Sequence, residues 1–213
     1  DTVTTATAPT TTQGEFAAES GEFRFDVGAA QRPTRPWINV LSNPHFGAQV
    51  SEAGGGYTWA VNSRLNQLTA WSNDAVADPA SESFLIQDLR SHALWQVTPG
   101  QRAGRGDAAS GYRVAHGQGY TVISHHRGRL QATVSWCVDP HSAVKQVRLR
   151  LVNRGHRTLH LRIAGIAEWM MGANRADRGT VHTALYRQRL PAAYEAGTPA
   201  GAERRLTALL CTQ

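Results

Sequence analysis

The chain has 213 residues, 41% hydrophobic and 18% charged, which suits one large all-β domain and allows roughly 70% of the unfolded surface to be buried without covalent staples. Two cysteines, Cys137 and Cys211, are too few for a disulfide framework and sit in apolar runs, so they read as buried free thiols of a reducing compartment. The formal charge of +6 comes from Lys and Arg placed singly rather than in a cluster, which argues against nucleic acid as a partner, and the longest apolar run, "IAGIAEWMMGA", is interrupted by Glu168 before it could span a bilayer.

In chain order, residues 1–13, "DTVTTATAPTTTQ", have almost no large apolar side chain and cannot repay their ordering entropy, so residues 1–22 read as a flexible Thr-rich lead-in and 23–213 as the folded domain. From Phe23 the pattern has period two. "FRFDV" sets Phe23, Phe25 and Val27 on one face, and "YTWAV" does the same for Tyr57, Trp59 and Val61, which predicts that Trp59 belongs to the core. The stretch "GGGYTWAVNSRLNQLTAWSND", Gly54 to Asp74, is aromatic and polar at once and belongs at a boundary between core and solvent.

Further on, "HGQGY" reads as a glycine loop in which His116 could meet a phosphate or a sugar hydroxyl. The adjacent His125 and His126 point to opposite sides of a strand and cannot share a metal, so no metal is expected. "RLQATVSWCV" alternates Leu130, Ala132, Val134, Trp136 and Val138 inward. "VRLRLV" and "LHLRIAGIAEW" alternate likewise, and the intervening "VNRGHRT" predicts a hairpin turning at Asn153 and Gly155. Arg148, Arg150, His160 and Arg162 would then line one outer face. A short helical segment is expected near Asn174–Asp177. A Pro, Gly and Ala-rich loop over 190–203 leads to a last apolar strand, which reads as cut short with an unpaired edge. Strands separated by turns every 8 to 12 residues predict an all-β fold, a large antiparallel two-sheet β-sandwich.

Three blocks carry a family resemblance: "RPWINVLSNPHFGAQVSEAGGGYTWAVNSRLNQLTAWSNDAVADP", "YRVAHGQGYT" and "VKQVRLRLVNRGHRTLHLRIAGIAEWMMG". Together they resemble the N-terminal β-sandwich (supersandwich, galactose-mutarotase-like) of the inverting glycoside phosphorylases of glycoside hydrolase family 94, in particular the phosphorylase-like domain of cyclic β-1,2-glucan synthases. Leu65, Ala70 and the segment "RSHALWQ" depart from the family pattern.

The resemblance implies a domain without catalytic residues of its own and without a cofactor. In the parent enzyme, inorganic phosphate would attack a β-glucoside with inversion, glucose 1-phosphate would be the co-substrate or product, and the general acid would lie on an (α/α)6 barrel that follows. Implied partners are a β-glucan or β-gluco-oligosaccharide, that barrel and a second copy in a homodimer. The implied location is cytoplasmic, as part of an inner-membrane-anchored synthase. The segment from Arg64 to Asp74 would shape the sugar entrance. Trp71 offers a flat apolar face, while Arg64, Asn66, Asn73 and Asp74 offer hydroxyl partners; the competing reading places Trp71 in the core and makes Asn73 and Asp74 a mere turn. A free-standing carbohydrate-binding module is the alternative. A complete small glycosidase would need Asp74 with Asp78, or Glu52 with Glu82, as its acid pair, and nothing in their sequence setting suggests a raised pKa.

Overall fold

The computed structural model describes residues 13–28, 31–100, 111–191 and 203–213. In chain order the strands are β1 (Gly14–Ala17), β2 (Glu22–Val27), β3 (Asn39–Ser42), β4 (Phe46–Ser51), β5 (Gly54–Ala60), β6 (Gln67–Thr69), β7 (Glu82–Asp88), β8 (Leu94–Gln96), β9 (Tyr112–Gly117), β10 (Tyr120–Arg127), β11 (Leu130–Val138), β12 (Lys145–Asn153), β13 (Leu161–Ala167), β14 (Trp169–Gly172), β15 (His182–Pro191) and β16 (Glu203–Thr212). A six-stranded antiparallel sheet runs β1-β2-β9-β10-β11-β12. It faces an eight-stranded sheet with the path β13-β7-β5-β4-β3, to which β6, β8 and β14 attach. This is the two-sheet sandwich that the alternation predicts.

The core lies between the sheets and is built from the inward parity of each strand. Phe25 and Val27 of β2, Val114 of β9, Ile123 of β10 and Leu130, Ala132, Val134 and Trp136 of β11 meet Leu41, Val50, Ile86, Trp95 and Val97 from the other sheet. The six-stranded sheet is stitched by hairpins whose tight reversals need left-handed backbone, which Gly119 (φ 82°) and Gly128 (φ 57°) supply. Polar groups also tie the layers. The Asn39 amide, on the inner side of β3, donates across to Gly117 O (2.9 Å), Tyr120 O (3.0 Å) and Thr121 Oγ1 (3.1 Å). Lys145 of edge strand β12 donates to Thr58 Oγ1 and to the Glu82 carboxylate, with the Lys145 and Glu82 side chains only 13% and 14% exposed.

Several expectations change. The chain after β12 does turn at Asn153, whose Oδ1 accepts from Gly155 N (2.9 Å), but it does not form a hairpin. It crosses between layers, so that β12 is an edge of one sheet and β13 pairs with β7 in the other. Turn chemistry specifies a reversal; Leu159 and Leu161, packed on the core, decide which sheet receives the next strand. Arg148 and Arg150 therefore sit on the outer side of the six-stranded sheet, opposite Ser135 and Thr133, whereas Arg162 lies opposite Gln87 on the eight-stranded one.

The ordered sheet also begins before residue 23, because β1 pairs with β2 from Gly14↔Phe25 to Ala17↔Glu22. Residues 1–12 of the lead-in, and 192–202 of the loop expected over 190–203, lie outside the described residues. The last strand pairs with β15 in a two-stranded hairpin, and among the described residues its other edge has no strand partner. The short helical segment is a 3-10 turn over Arg175–Thr180, with Asn174 and Asp177 making a reciprocal cap. Cys137 and Cys211 are free and half-buried. His125 is buried against Tyr112, their rings 4.2 Å apart, while His126 is exposed.

Candidate functional site

The polar-aromatic stretch from Gly54 folds into β5, a turn, β6 and a loop, and its rings lie on the side of the eight-stranded sheet that faces away from the core. Register fixes this side. Thr58, paired with Ala48, points inward and accepts from Lys145 of the other sheet, so the alternate pairs Gly47↔Trp59 and Gln49↔Tyr57 point outward. Trp59 is thus not a core residue as its alternation suggested; it is half-buried on the outer face. Period two identifies a shared face without saying which face is covered. Val61 leaves the series altogether, with φ 63° and 77% exposure.

The three rings make one continuous stack. Tyr57 lies between Trp59, at 5.0 Å between centroids and 35° between planes, and Trp71, at 5.1 Å and 14°. Trp59 also lies flat over Gly47, where an added Cβ would come 2.3 Å from Trp59 Cζ2, so only glycine permits the ring to settle there. Trp71 is seated from below by Gln67, whose Oε1 accepts from Trp71 N (3.2 Å). Burial raises the Tyr57 hydroxyl pKa, opposed by a hydrogen bond to the Ser63 side chain, so Tyr57 stays neutral in the middle of the stack.

The polar candidates frame these rings on two turns. In the first, Asn62 Oδ1 accepts from Arg64 N (2.9 Å) and Leu65 N (2.8 Å), which leaves the Arg64 side chain exposed; Asn66 Nδ2 donates to Ala60 O (3.1 Å). In the second, Asn73 adopts left-handed φ (51°), and Asp74 Oδ1 accepts from Val76 N and Ala77 N, both 2.9 Å. Those two bonds hold the exposed Asp74 carboxyl below its ordinary pKa. Asp74 therefore closes the turn with one oxygen. Arg64, Asn66, Trp71, Asn73 and Asp74 belong to the same stretch of the eight-stranded sheet and its loops.

His116 is not brought to this place. It lies on the inner side of the six-stranded sheet, in contact with Phe25 (5.4 Å between ring centroids), with Nδ1 at 3.0 Å from Thr121 Oγ1 and Nε2 at 3.0 Å from Trp37 O. Both ring nitrogens are engaged, and burial lowers its pKa, so it is a neutral structural histidine.

The sequence paired Asp78 with Asp74 and Glu52 with Glu82 and suggested no raised pKa; the structure instead brings Glu52 and Asp78 to one corner and raises both. Burial raises Glu52 to about 7, against hydrogen bonds from its own and the Trp37 backbone N–H groups. Asp78 is raised too, again by burial, while Ser51 and Arg32 oppose. Neither group resembles an acid presented to substrate: Glu52 is 6% exposed and its Oε2 accepts from Trp37 N (2.9 Å), and Asp78 accepts from Ser51 Oγ. Tyr57 is buried in the middle of the stack, and the two half-buried tryptophans, framed by an arginine, amides and a carboxylate, can offer apolar area to a sugar ring and hydrogen bonds to its hydroxyls.

Comparison with known proteins agrees with the fold. The profile of the family described as "Glycosyl hydrolase 94, supersandwich domain" matches residues 21–204. The chain is also 35% identical, over 163 residues, to the cyclic beta-(1,2)-glucan synthase NdvB of Rhizobium meliloti (strain 1021), an alignment that covers 76% of this chain and 6% of that much longer protein.

Proposed function

The chain belongs to the glycosyl hydrolase 94 supersandwich family, and from that membership we infer that it is the non-catalytic, carbohydrate-associated sandwich of an inverting β-glucoside phosphorylase or cyclic β-1,2-glucan synthase. Its work is to support and border the sugar site of an (α/α)6 barrel in the parent polypeptide. The barrel supplies the general acid. Phosphate is already a nucleophile, so an inverting phosphorolysis needs one carboxylic acid for the leaving oxygen and no second carboxylate to activate water.

The observation that carries this reading is the Trp59–Tyr57–Trp71 stack on the outward side of the sheet, with Arg64, Asn66, Asn73 and Asp74 on its two flanking turns. Trp59 and Trp71, half-buried on either side of the buried Tyr57, form a contact surface, and the polar rim suits a ligand that is apolar on its ring faces and hydroxylated at its edge. The commitment of Asp74 to its turn, the burial of Glu52 and the bond of half-buried Asp78 to Ser51 fit a domain that shapes the site and leaves proton transfer to another domain.

The place we assign to the barrel is the open side of the sandwich between the edge strands β12 and β13. A groove of about 520 Å³ runs there, lined chiefly by Phe84, Trp136, Val147, Ile166, Trp169 and Leu209. Trp169 belongs to β14, which pairs with β6, the strand whose Gln67 stands opposite Trp59.

The reading is tested by titrating the isotope-labelled chain with linear β-1,2-gluco-oligosaccharides. Chemical-shift changes should concentrate at Trp71, Tyr57, Arg64, Asn66 and Asn73, with millimolar affinity, and Trp71→Ala should abolish them. Changes confined to the six-stranded sheet, or none at saturating sugar, would refute the placement.

A further inference from the structure

The loop between β6 and β7 carries Trp71, Asn73 and Asp74, and both of its ends are fixed by neighbouring strands. Ala70 N donates to Glu168 O (3.0 Å), and Ser81 donates through N and Oγ to Gly56 O. The middle is held by a different device. Asp78, in left-handed backbone at φ 39°, accepts from Ser51 Oγ at the end of β4 (2.5 Å). The next residue, Glu52, is 6% exposed and accepts from Trp37 N (2.9 Å), which ties the same corner to the segment preceding β3. Arg32 from that segment donates to Pro99 O (3.0 Å) and Gly100 O (2.7 Å). A buried carboxyl, Glu52, and a half-buried one, Asp78, thus share one corner from separate stretches, close enough for the Asp78 charge to act on Glu52, and a non-glycine residue keeps a positive φ there with its side chain tied.

We propose that Ser51, Glu52 and Asp78 form a latch that sets the loop, and with it the Trp71 ring, against the sheet. Asp78 is the loop's own tooth, Ser51 the catch, and Glu52 the wall behind it. Two carboxyls at one buried place cannot both ionise without cost, so the closed latch retains a proton. Burial is the largest influence on both acids. On Glu52, the Asp78 charge adds to it and Arg32 opposes; on Asp78, Ser51 and Arg32 oppose and Asp74 adds. Arg32 and Asp74 are therefore the charged groups that act on the pair from outside.

The direction of the pH dependence follows. Glu52 titrates at about 7 when latched and at its ordinary 4.5 when solvated, so closure is most favoured below pH 4.5 and weakens as the pH rises to about 7. The closing equilibrium falls over that range by on the order of 100-fold. The consequence for sugar binding rests on the platform reading of Trp71; the latch itself does not, and it is tested without sugar.

The test is hydrogen exchange on the whole chain at pH 5.5 and pH 8, read as protection factors for residues 71–80 after correction for intrinsic exchange. The core amides of Val114, Ile123 and Val134 serve as the reference. Loop protection should fall at least tenfold at the higher pH while the reference is unchanged. Glu52→Gln, which keeps the shape without an ionisable group, should remove the difference, and Ser51→Ala should lower loop protection at both pH values. Loop protection independent of pH in the unmodified chain, or a pH dependence that survives Glu52→Gln, would overturn the latch. If Glu52→Gln does not fold, the unmodified chain and Ser51→Ala decide between the same outcomes.

Discussion

Gly47 is opposite Trp59 in the β4–β5 ladder, and the contact between them fixes the position of the whole ring stack. In Gly47→Ala the new Cβ would lie 2.3 Å from Trp59 Cζ2 and 2.5 Å from Cε2, whereas an unstrained carbon pair sits at about 3.5–4.0 Å. The indole must retreat by more than about an ångström to restore that spacing, and so it loses its seat against Tyr57. Overpacking of this kind costs about 1–3 kcal/mol.

Once the ring is gone, the sign reverses. In a Trp59→Ala background, alanine at position 47 meets no indole and recovers the roughly 0.5–1 kcal/mol that glycine costs inside a strand. The two substitutions should therefore be coupled by about 2–3 kcal/mol in a double-mutant cycle. Trp59→Ala alone should cost about 2 kcal/mol, less than the ~3–5 kcal/mol of a fully enclosed aromatic. Urea denaturation of the four proteins, extrapolated linearly to water, measures every corner of the cycle. Equal destabilisation by Gly47→Ala in both backgrounds would show that the ring does not lie on the glycine, and the outward placement of the stack would fall with it.

Lys145→Met should destabilise the domain by about 3 kcal/mol, because it leaves the enclosed Glu82 carboxylate without its cation; adding Glu82→Gln should return part of that loss, as chemical denaturation of both variants will show. Folding stability should also carry the Glu52 signature. Since the folded value of about 7 exceeds the ordinary 4.5, this group's contribution is complete below pH 4.5 and lost by about pH 7, a change of up to about 3 kcal/mol. The stability difference between Glu52→Gln and the unmodified chain should follow that curve, and a constant difference would refute it. The exposed apolar residues of β13, β15 and β16, among them Ile163, Ile166, Leu185 and Leu209, should make the chain self-associate with rising concentration and bind a hydrophobic dye; a strictly monomeric chain that excludes the dye would contradict the place assigned to the barrel. Finally, the chain alone should release no glucose 1-phosphate from any β-glucan, and detection of that product by a coupled assay would place the general acid in the sandwich.

The architecture was legible because alternation is local. The inward residues of β2 and β11 could be read directly from "FRFDV" and "RLQATVSWCV", since one face of each strand is apolar and the other is not. Tyr57 and Trp59 illustrate the limit: β5 is covered on its inner side by small and polar groups such as Thr58 and carries its aromatics outward, so the apolar parity named the wrong layer. The crossover after Asn153 escaped for a related reason, because a turn's residues encode the reversal and distant packing encodes its destination. Glu52 and Asp78 are 26 positions apart and look ordinary in sequence; only the pairing of β4 with β5 and the return of the loop to Ser51 make them neighbours. His116 was plausible as a ligand until both of its nitrogens were found engaged between the sheets.

The central claim, that the outward stack borders a sugar site, is tested most directly by Trp71→Ala in a longer protein that joins this domain to the proposed (α/α)6 barrel. Trp71 is half-buried at one end of the stack, in contact with Tyr57, so its removal forfeits one stacking contact of about 0.5–1.5 kcal/mol and little else from the fold. Acceptor kinetics and thermal melting are measured on the same preparation. The account predicts that KM for the acceptor sugar rises about tenfold, the equivalent of about 1.4 kcal/mol, with kcat nearly unchanged and Tm lowered by only a few degrees. An unchanged KM together with a large fall in Tm would contradict it, and would make Trp71 a structural residue of its loop.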